Sequence, residues 1–191
     1  MYLFFDTETT GIPRNYRAPV SDLANWPRVV QLAFLAMGAE GERLGAREFL
    51  IKPEGFTIPA DAARVHRITT ERALAEGVAI GEALAAFGGA LATVEVLVAH
   101  NLSFDENILG AEFLRAKLGN PLAGKKRCCT MESSTAYCGI PGRMGRPKWP
   151  TLAELHTKLF GQGLAKAHAA LADVETCAKC FFELRKRGVV R

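Results

Sequence analysis

The 191-residue sequence has no long apolar run, and this absence excludes one class of protein. No stretch approaches the roughly 20 uncharged residues that a membrane-spanning helix needs. The first residues, Met1-Tyr2-Leu3-Phe4-Phe5-Asp6, contain no basic leader and reach a carboxylate at once, so no signal peptide is predicted. We therefore expect a cytoplasmic protein that does not interact with membranes.

Cysteines are too few and too unevenly placed to form a disulfide framework. The chain has five, an odd number, and Cys128 and Cys129 are adjacent, which suits a reducing compartment. Cys177 and Cys180 have the CxxC spacing of zinc and redox sites, but no second pair accompanies them and they lie in a predicted helix. A metal or redox site there is the alternative to our interpretation that both are buried structural thiols.

The charge balance excludes neither a neutral nor a polyanionic partner. Hydrophobic residues make up 49% and charged residues 23%, which fits one globular domain with a real core. The net charge is +4 and the pI is near 8.9, so a nucleic acid is permitted but not required. Basic residues cluster at Lys125–Arg127, Arg143–Lys148 and Arg185–Arg187, although each cluster alone is typical of a solvated surface.

Apolar periodicity predicts early strands followed by alternating helices and strands. The predicted strands are Tyr2–Phe5, Val29–Met37, Arg47–Ile51, Val94–Ala99 and Arg127–Thr130, the second and third forming a hairpin around Gly38–Gly41. The predicted helices are Pro59–His66, Thr70–Glu76, Ile80–Leu91, Phe104–Leu118, one from Thr130 to about Tyr137, Leu152–Phe160 and Ala169–Arg187. This order indicates an α/β domain with a mixed central sheet and flanking helices. Fold class alone does not name a function.

Two carboxylates, Asp6 and Glu8, follow the first predicted strand. Residues i and i+2 of an extended chain point to the same face, so these side chains should lie side by side. They repel each other unless a cation lies between them, and an oxygen-only site suits Mg²⁺ or Mn²⁺ rather than zinc. The triplet alone is weak evidence, because an Asp-x-Glu occurs by chance in many chains.

Further acidic residues lie where they can join this pair. Asp105 follows the predicted strand Val94–Ala99, at the mouth of a helix, and the carboxyl ends of strands gather ligands in open α/β sheets. His168 and Asp173 are five residues apart, which is not a same-face spacing on a helix. We therefore expect His168 in or before the first turn of the last helix, and Asp173 pointing inward from that helix.

Three segments together resemble the exonuclease motifs of the DEDDh family, the DnaQ-like group that includes the proofreading subunit of bacterial DNA polymerase III. They are Phe5-Asp6-Thr7-Glu8-Thr9-Thr10-Gly11, His100-Asn101-Leu102-Ser103-Phe104-Asp105 and His168-Ala169-Ala170-Leu171-Ala172-Asp173. Segments 28–33 and 65–69 are similar to that family too. The resemblance implies a ribonuclease H-like fold, a single exonuclease domain over residues 1–191 and hydrolysis from the 3′ end of a nucleic acid.

The resemblance also implies a role for each of five catalytic residues. Asp6 would bridge two Mg²⁺ or Mn²⁺ ions, Glu8 and Asp173 would complete one of them, and Asp105 would act mostly through water. His168 would be the general base, because an imidazole titrates near neutrality. The other histidines, His66, His100 and His156, lack the family spacing and are interpreted as structural.

Residues beside these motifs are candidates for substrate binding. Those that could contact the terminal nucleotide or line its pocket are Thr9, Gly11, Ile12, Asn101 and Phe104. The loop Arg14–Trp26 is longer than a minimal version of the fold requires, and it places Tyr16 and Trp26 near the carboxylates. These rings could stack on a base or cover apolar surface, and both interpretations stay open.

The substrate and partners are less specified than the chemistry. A DNA 3′→5′ exonuclease, acting on single-stranded ends, is our first hypothesis, and an exoribonuclease acting on RNA ends or short oligonucleotides is the alternative. A nucleic-acid-binding module without activity is disfavoured, because the acidic set is intact. The chain stops at Arg191, just after the last predicted helix, so no tail supports association with a polymerase and we expect a free-standing nuclease.

Overall fold

The computed structural model describes residues 1–164 and 170–190, which include one five-stranded mixed sheet. The strand order is β3-β2-β1-β4-β5. β1 pairs with β2, and β2 with β3, in antiparallel fashion, whereas β4 is parallel to both β1 and β5. The predicted mixed sheet is confirmed. The strands are β1 (Tyr2–Thr9), β2 (Val29–Met37), β3 (Arg43–Leu50), β4 (Val96–Ala99) and β5 (Lys126–Cys129).

Two strands are longer than the sequence predicted. β1 does not end at Phe5 but continues to Thr9, because β2 pairs with it as far as Val29, across a register shift that follows Glu8. β3 begins at Arg43 rather than Arg47, since its exposed first residues pair with the end of β2 across the predicted hairpin. The first two carboxylates therefore lie within a strand, not beyond it.

Seven helices surround the sheet within the described ranges: α1 (Ala60–His66), α2 (Thr70–Glu76), α3 (Ile80–Ala92), α4 (Leu102–Arg115), α5 (Thr130–Cys138), α6 (Leu152–Phe160) and α7 (Ala170–Lys186). Side-chain caps fix two of the starts. Thr69 accepts a hydrogen bond from the Arg72 amide, and Thr151 forms a reciprocal capping box with Glu154. α4 was wrongly predicted to run from Phe104 to Leu118, and it lies earlier in the chain.

Side chains of β1 alternate between two hydrophobic layers, as the period of a strand requires. Phe5 packs in the layer that contains α3 and α4, with its ring centroid 5.4 Å from that of Phe87. Phe4 packs in the opposite layer against α7, with its centroid 5.3 Å from that of Phe181. The same alternation assigns Asp6 and Glu8 to the α7 side of the sheet, and Thr7 to the α4 side.

The thiols are free, as predicted, and Cys177 and Cys180 are buried in α7. The Cys177 sulfur lies 3.6 Å from the Thr130 hydroxyl, and burial raises the pKa of both thiols. Among the described histidines, cysteines and carboxylates, no metal-binding group includes a cysteine. These observations favour structural thiols over a zinc or redox site. None of the helices in the described ranges is both long enough and apolar enough to span a membrane.

Candidate active site

Three carboxylates from two elements converge on the α7 side of β1. Asp6 and Glu8 come from the strand, and Asp173 comes from the first turn of α7. Each offers a carboxylate oxygen, and these three oxygens all lie within 4.8 Å of one another. All three residues are partly exposed, so the cluster is open to a ligand. The structure thus brings together three of the four predicted acidic residues in one group.

The fourth carboxylate, Asp105, approaches β1 from the other layer and is held by Thr7. Its Oδ1 accepts hydrogen bonds from the Thr7 amide at 3.0 Å and the Thr7 hydroxyl at 2.7 Å. The paired residues of β1 and β4 end at Phe4 and Val98, so the Thr7 amide lies beyond the last strand pair on that side. Asp105, in the first turn of α4 and 2% exposed, takes the place of a strand partner there.

Burial and mutual repulsion make these carboxyls hold their protons tightly. Burial raises the pKa of Asp6 well above its ordinary value, and the neighbouring charges of Asp105, Glu8 and Asp173 raise it further. Burial, and then Asp173, raise the pKa of Glu8 to about 7. Burial raises the pKa of Asp105 to about 7 although the hydrogen bonds from Thr7 oppose that rise. The acidic cluster is therefore not fully ionised near neutrality without a cation.

A divalent cation fits this cluster on the chemistry of its donors. The three oxygens are hard ligands, the type that Mg²⁺ and Mn²⁺ prefer, and no sulfur or imidazole belongs to the group among the described residues. A cation would reverse the electrostatics that raise the pKa values of Asp6 and Glu8. Asp6, Glu8 and Asp173 are thus the residues that could hold a metal.

The proposed base, His168, lies in residues 165–169, outside the described residues. The other three histidines have structural surroundings. His100 donates from Nε2 to the Pro150 carbonyl at 3.0 Å, and its Nδ1 lies 3.0 Å from the Thr130 hydroxyl. His156 is buried, with Nδ1 3.1 Å from the Gln162 carbonyl. His66 is buried and accepts at Nδ1 from the Ile68 amide, while its Nε2 has no hydrogen-bond partner among the described residues.

The predicted substrate-binding residues lie around the end of β1 and the start of α4. Thr9 is buried, and its hydroxyl donates to the Gly11 carbonyl at 2.6 Å. Gly11 has a φ of 147°, which favours glycine, and Ile12 beyond it is exposed. Asn101 precedes α4 with a φ of 76°, and Phe104 lies in its first turn. Their contact with a nucleotide stays a prediction.

The two aromatic residues of the Arg14–Trp26 loop have different surroundings. Trp26 is 3% exposed, belongs to the hydrophobic core, and donates from Nε1 to the Pro19 carbonyl at 3.0 Å. Covering apolar surface is therefore its role, and base stacking by its ring is disfavoured. Tyr16 is 55% exposed, and its ring centroid lies 6.5 Å from that of Phe104.

Two residues that support the site were missed from the sequence. Thr7 anchors Asp105, and its position between two carboxylates was the available signal. Glu112 is 1% exposed and accepts from Arg28 Nε at 2.8 Å and from the Val29 amide at 3.1 Å. Arg115 lies 3.1 Å from the same carboxylate. This buried ion pair joins α4 to the start of β2, and nothing in the spacing of these residues indicates it.

A family model described as Exonuclease (RNase_T) matches residues 3–181, which is most of the chain. The chain belongs to this exonuclease family. The predicted membership of the DEDDh group of 3′→5′ exonucleases is confirmed with it. No curated protein sequence matches the chain significantly.

Solved structures of E. coli exonuclease I share the fold of this exonuclease domain. The complex with a dT13 oligonucleotide matches with a TM-score of 0.75 and 24% identity over 97% of this chain and 40% of that one. A product-bound structure of exonuclease I matches with a TM-score of 0.75 and 21% identity, over 97% of this chain and 43% of that one. A zinc-bound complex of E. coli exonuclease I with single-stranded DNA matches with a TM-score of 0.75 and 23% identity, over 97% of this chain and 40% of that one. The chain thus spans about 40% of these proteins, and the predicted ribonuclease H-like fold is confirmed.

Proposed function

We propose that this domain removes nucleotides from the 3′ end of DNA by hydrolysis, releasing nucleoside 5′-monophosphates. The convergence of Asp6, Glu8 and Asp173, with carboxylate oxygens within 4.8 Å of one another, carries the proposal. Such a group is electrostatically unfavourable unless a cation binds to it. Here it lies in a chain of the exonuclease family. The intact set also argues against a module that only binds nucleic acid.

The carboxylates would divide the binding of two Mg²⁺ or Mn²⁺ ions between them. Asp6 is central, since Asp105, Glu8 and Asp173 all act on its charge, and this position suits a bridging ligand. Glu8 and Asp173 would complete the coordination of one ion. Asp105, held by its hydrogen bonds from Thr7, would act through water. Bound in this way, the ions would neutralise the phosphodiester and stabilise the attacking and leaving oxygens.

His168 would accept the proton of the attacking water. A base must be neutral to do so, and an imidazole is largely neutral at physiological pH. The hydrogen bonds of His100 and the burial of His66 and His156 make these three poor candidates for the role. His168 is also the histidine that has the family spacing to Asp173.

DNA is favoured over RNA because the similar structures of E. coli exonuclease I include complexes with dT13 and dA16 oligonucleotides. An exoribonuclease is the alternative. The two are separated by incubating 5′-end-labelled single-stranded DNA and RNA of matched sequence with protein and Mg²⁺. We expect a ladder that shortens from the 3′ end of DNA, blocked by a 3′-phosphate, and no ladder with the isosteric variant Asp6→Asn.

Several outcomes of this assay would contradict the proposal. Faster degradation of RNA would favour the alternative. Cleavage of a circular single strand would indicate an endonuclease. More than a few per cent of the wild-type rate in Asp6→Asn would exclude the bridging role of Asp6.

The remaining expectations belong to the same proposal. We propose that residues 1–191 contain a single exonuclease domain, which is supported by the one sheet that joins the beginning of the chain to α7. A cytoplasmic location and the lack of a polymerase partner stay predictions. Co-purification of a polymerase with the tagged protein would contradict the second.

A further inference from the structure

A cleft beside the first turn of α4 has aromatic walls that the proposed chemistry does not use. Its volume is about 360 Å³, within the range of ligand sites. Tyr16 and Trp149 line it and are 55% and 62% exposed, respectively. Phe104, the residue before Asp105, lines it as well. The cleft is thus adjacent to the proposed active site.

Both exposed rings are carried by segments that hydrogen bonds hold in place. On the Tyr16 side, the Asn15 amide donates to the side chain of Asn25 at 2.8 Å, and the Asn25 side chain donates back to the Asn15 carbonyl at 3.0 Å. On the Trp149 side, His100 donates to the carbonyl of the next residue, Pro150, at 3.0 Å. Rings that are already positioned lose less conformational freedom when a ligand binds against them.

The polar side chains of the cleft, and two arginines in the loop that precedes Trp149, match a nucleic-acid strand. Asn101, Asn107 and Ser103 offer donors and acceptors for base edges, and Glu132 is the acidic residue of the lining. Arg143 and Arg146 lie in the exposed loop that leads to Trp149, and neither forms a salt bridge to another described residue. Their charges are available for phosphates.

We infer that this cleft binds an unpaired nucleobase of the strand upstream of the 3′ end, stacked against Tyr16 and Trp149, with phosphates contacted by Arg143 and Arg146. The inference rests on the proposed function and extends its contacts along the strand, with a preference for single strands because stacking on these rings requires a base with a free face. Stacking tolerates every base, so the site provides strand affinity without sequence preference.

Tryptophan fluorescence tests the cleft without depending on hydrolysis. The chain has two tryptophans and both line the cleft, but Trp26 is 3% exposed whereas Trp149 is 62% exposed, so Trp149 should account for most of the quenching by a ligand. An inactive Asp6→Asn protein is titrated with a 15-residue oligothymidylate in Mg²⁺. We expect quenching that the added change Trp149→Phe reduces to a small remainder from Trp26, and weaker quenching by a blunt duplex. Quenching of undiminished amplitude in Trp149→Phe would overturn the inference.

Affinity measurements on further variants test the individual contacts. Tyr16→Ala and Trp149→Ala should each raise the Kd for the oligonucleotide roughly tenfold, the usual effect of losing one base–aromatic stack. Leu44→Ala, a matched removal of an exposed apolar side chain from β3, should leave it unchanged. The double change Arg143→Gln/Arg146→Gln should lower the slope of log Kd against log salt by about 1.4, about 0.7 for each phosphate contact.

The outcomes separate this inference from the proposed function. Quenching of Trp149 by the oligonucleotide, with no hydrolysis by the wild-type protein, would support the cleft and contradict the exonuclease proposal. Hydrolysis of the oligonucleotide, with Kd unchanged in Tyr16→Ala and Trp149→Ala, would leave the exonuclease proposal standing and overturn the cleft.

Discussion

Replacing Asp6 by asparagine should stabilise the metal-free protein while it abolishes hydrolysis. The substitution keeps the shape of the side chain and removes one charge from the cluster with Glu8 and Asp173. At the 4.8 Å that bounds the separation of their oxygens, two unit charges repel by about 3.5 kcal/mol at an effective dielectric constant of 20 and by about 0.9 kcal/mol in bulk water. Because these groups are partly exposed and can retain protons, we expect a gain of about 2 kcal/mol at pH 8.

The gain should depend on pH in a defined direction. The pKa of Asp6 is higher in the folded protein than its ordinary value of 3.8, so the folded state binds the proton more tightly than the unfolded state. The contribution of these carboxyls to stability is therefore fully present below about pH 4 and is lost as the pH rises through the folded pKa values, about 7 for Glu8 and Asp105. The difference between Asp6→Asn and wild type should vanish below about pH 4 and grow towards pH 8.

Thermal unfolding in EDTA and in Mg²⁺ measures both effects. For a domain of this size, 1 kcal/mol shifts the Tm by roughly 2–4 °C, so Asp6→Asn should melt about 4–8 °C above wild type in EDTA at pH 8. Mg²⁺ at 100 times its Kd should stabilise the wild type by about 2.7 kcal/mol and the variant by less. The difference between the two Tm values should therefore become smaller or change sign. Glu54→Gln, which removes an exposed carboxylate elsewhere, is the control. An Asp6→Asn protein that melts below wild type in EDTA at pH 8 would refute the reasoning.

Three other substitutions test the remaining parts of the site. His168→Ala should lower kcat by roughly 10²–10⁴ and remove the acid limb of the single-turnover pH–rate profile, with Mg²⁺ affinity nearly unchanged; a retained acid limb and near wild-type rate would exclude it as the base. Thr7→Val keeps the amide donor to Asp105 but loses the hydroxyl, and urea unfolding at pH 8 should show a loss of about 1.5–3 kcal/mol; no loss would mean that this hydrogen bond contributes little. Glu112→Ala leaves two guanidinium groups without their buried partner, and the same assay should show a loss of roughly 3 kcal/mol, whereas a loss below 1 kcal/mol would contradict the importance of this ion pair.

The sequence predicted most accurately the helices whose ends are determined by residues at those ends, such as a capping threonine or a glycine. α6 begins at a Thr151 cap and ends at Gly161, which has a φ of 70°, and both ends were predicted correctly. α2, which follows the Thr69 cap, was likewise predicted with both ends correct. The pairing of Asp6 with Glu8 on one face followed from strand geometry alone. These features depend on residues close together in the chain.

What the sequence did not predict depends on contacts between distant residues. The polar second half of β1 is held in the sheet by β2, so local hydrophobicity placed the end of the strand too early. The hydrogen bonds from Thr7 to Asp105 join residues 98 apart. The burial of Trp26 depends on the packing of its whole loop. No periodicity or spacing encodes these contacts.

The alternation of side chains along β1 also limits how this protein can change. Phe4 and Phe5 face opposite layers of the core, and Asp6 and Thr7 continue the same alternation towards the carboxylate cluster and α4. Deleting one residue from this strand would exchange the two faces, so that every later side chain turned to the wrong layer. A single deletion would bury the carboxylates of the cluster and, at the same time, expose side chains of the core. New activities on this scaffold can therefore arise through substitutions in β1 and through length changes in the loops, whereas the length of this strand is fixed by its chemistry and its packing at once.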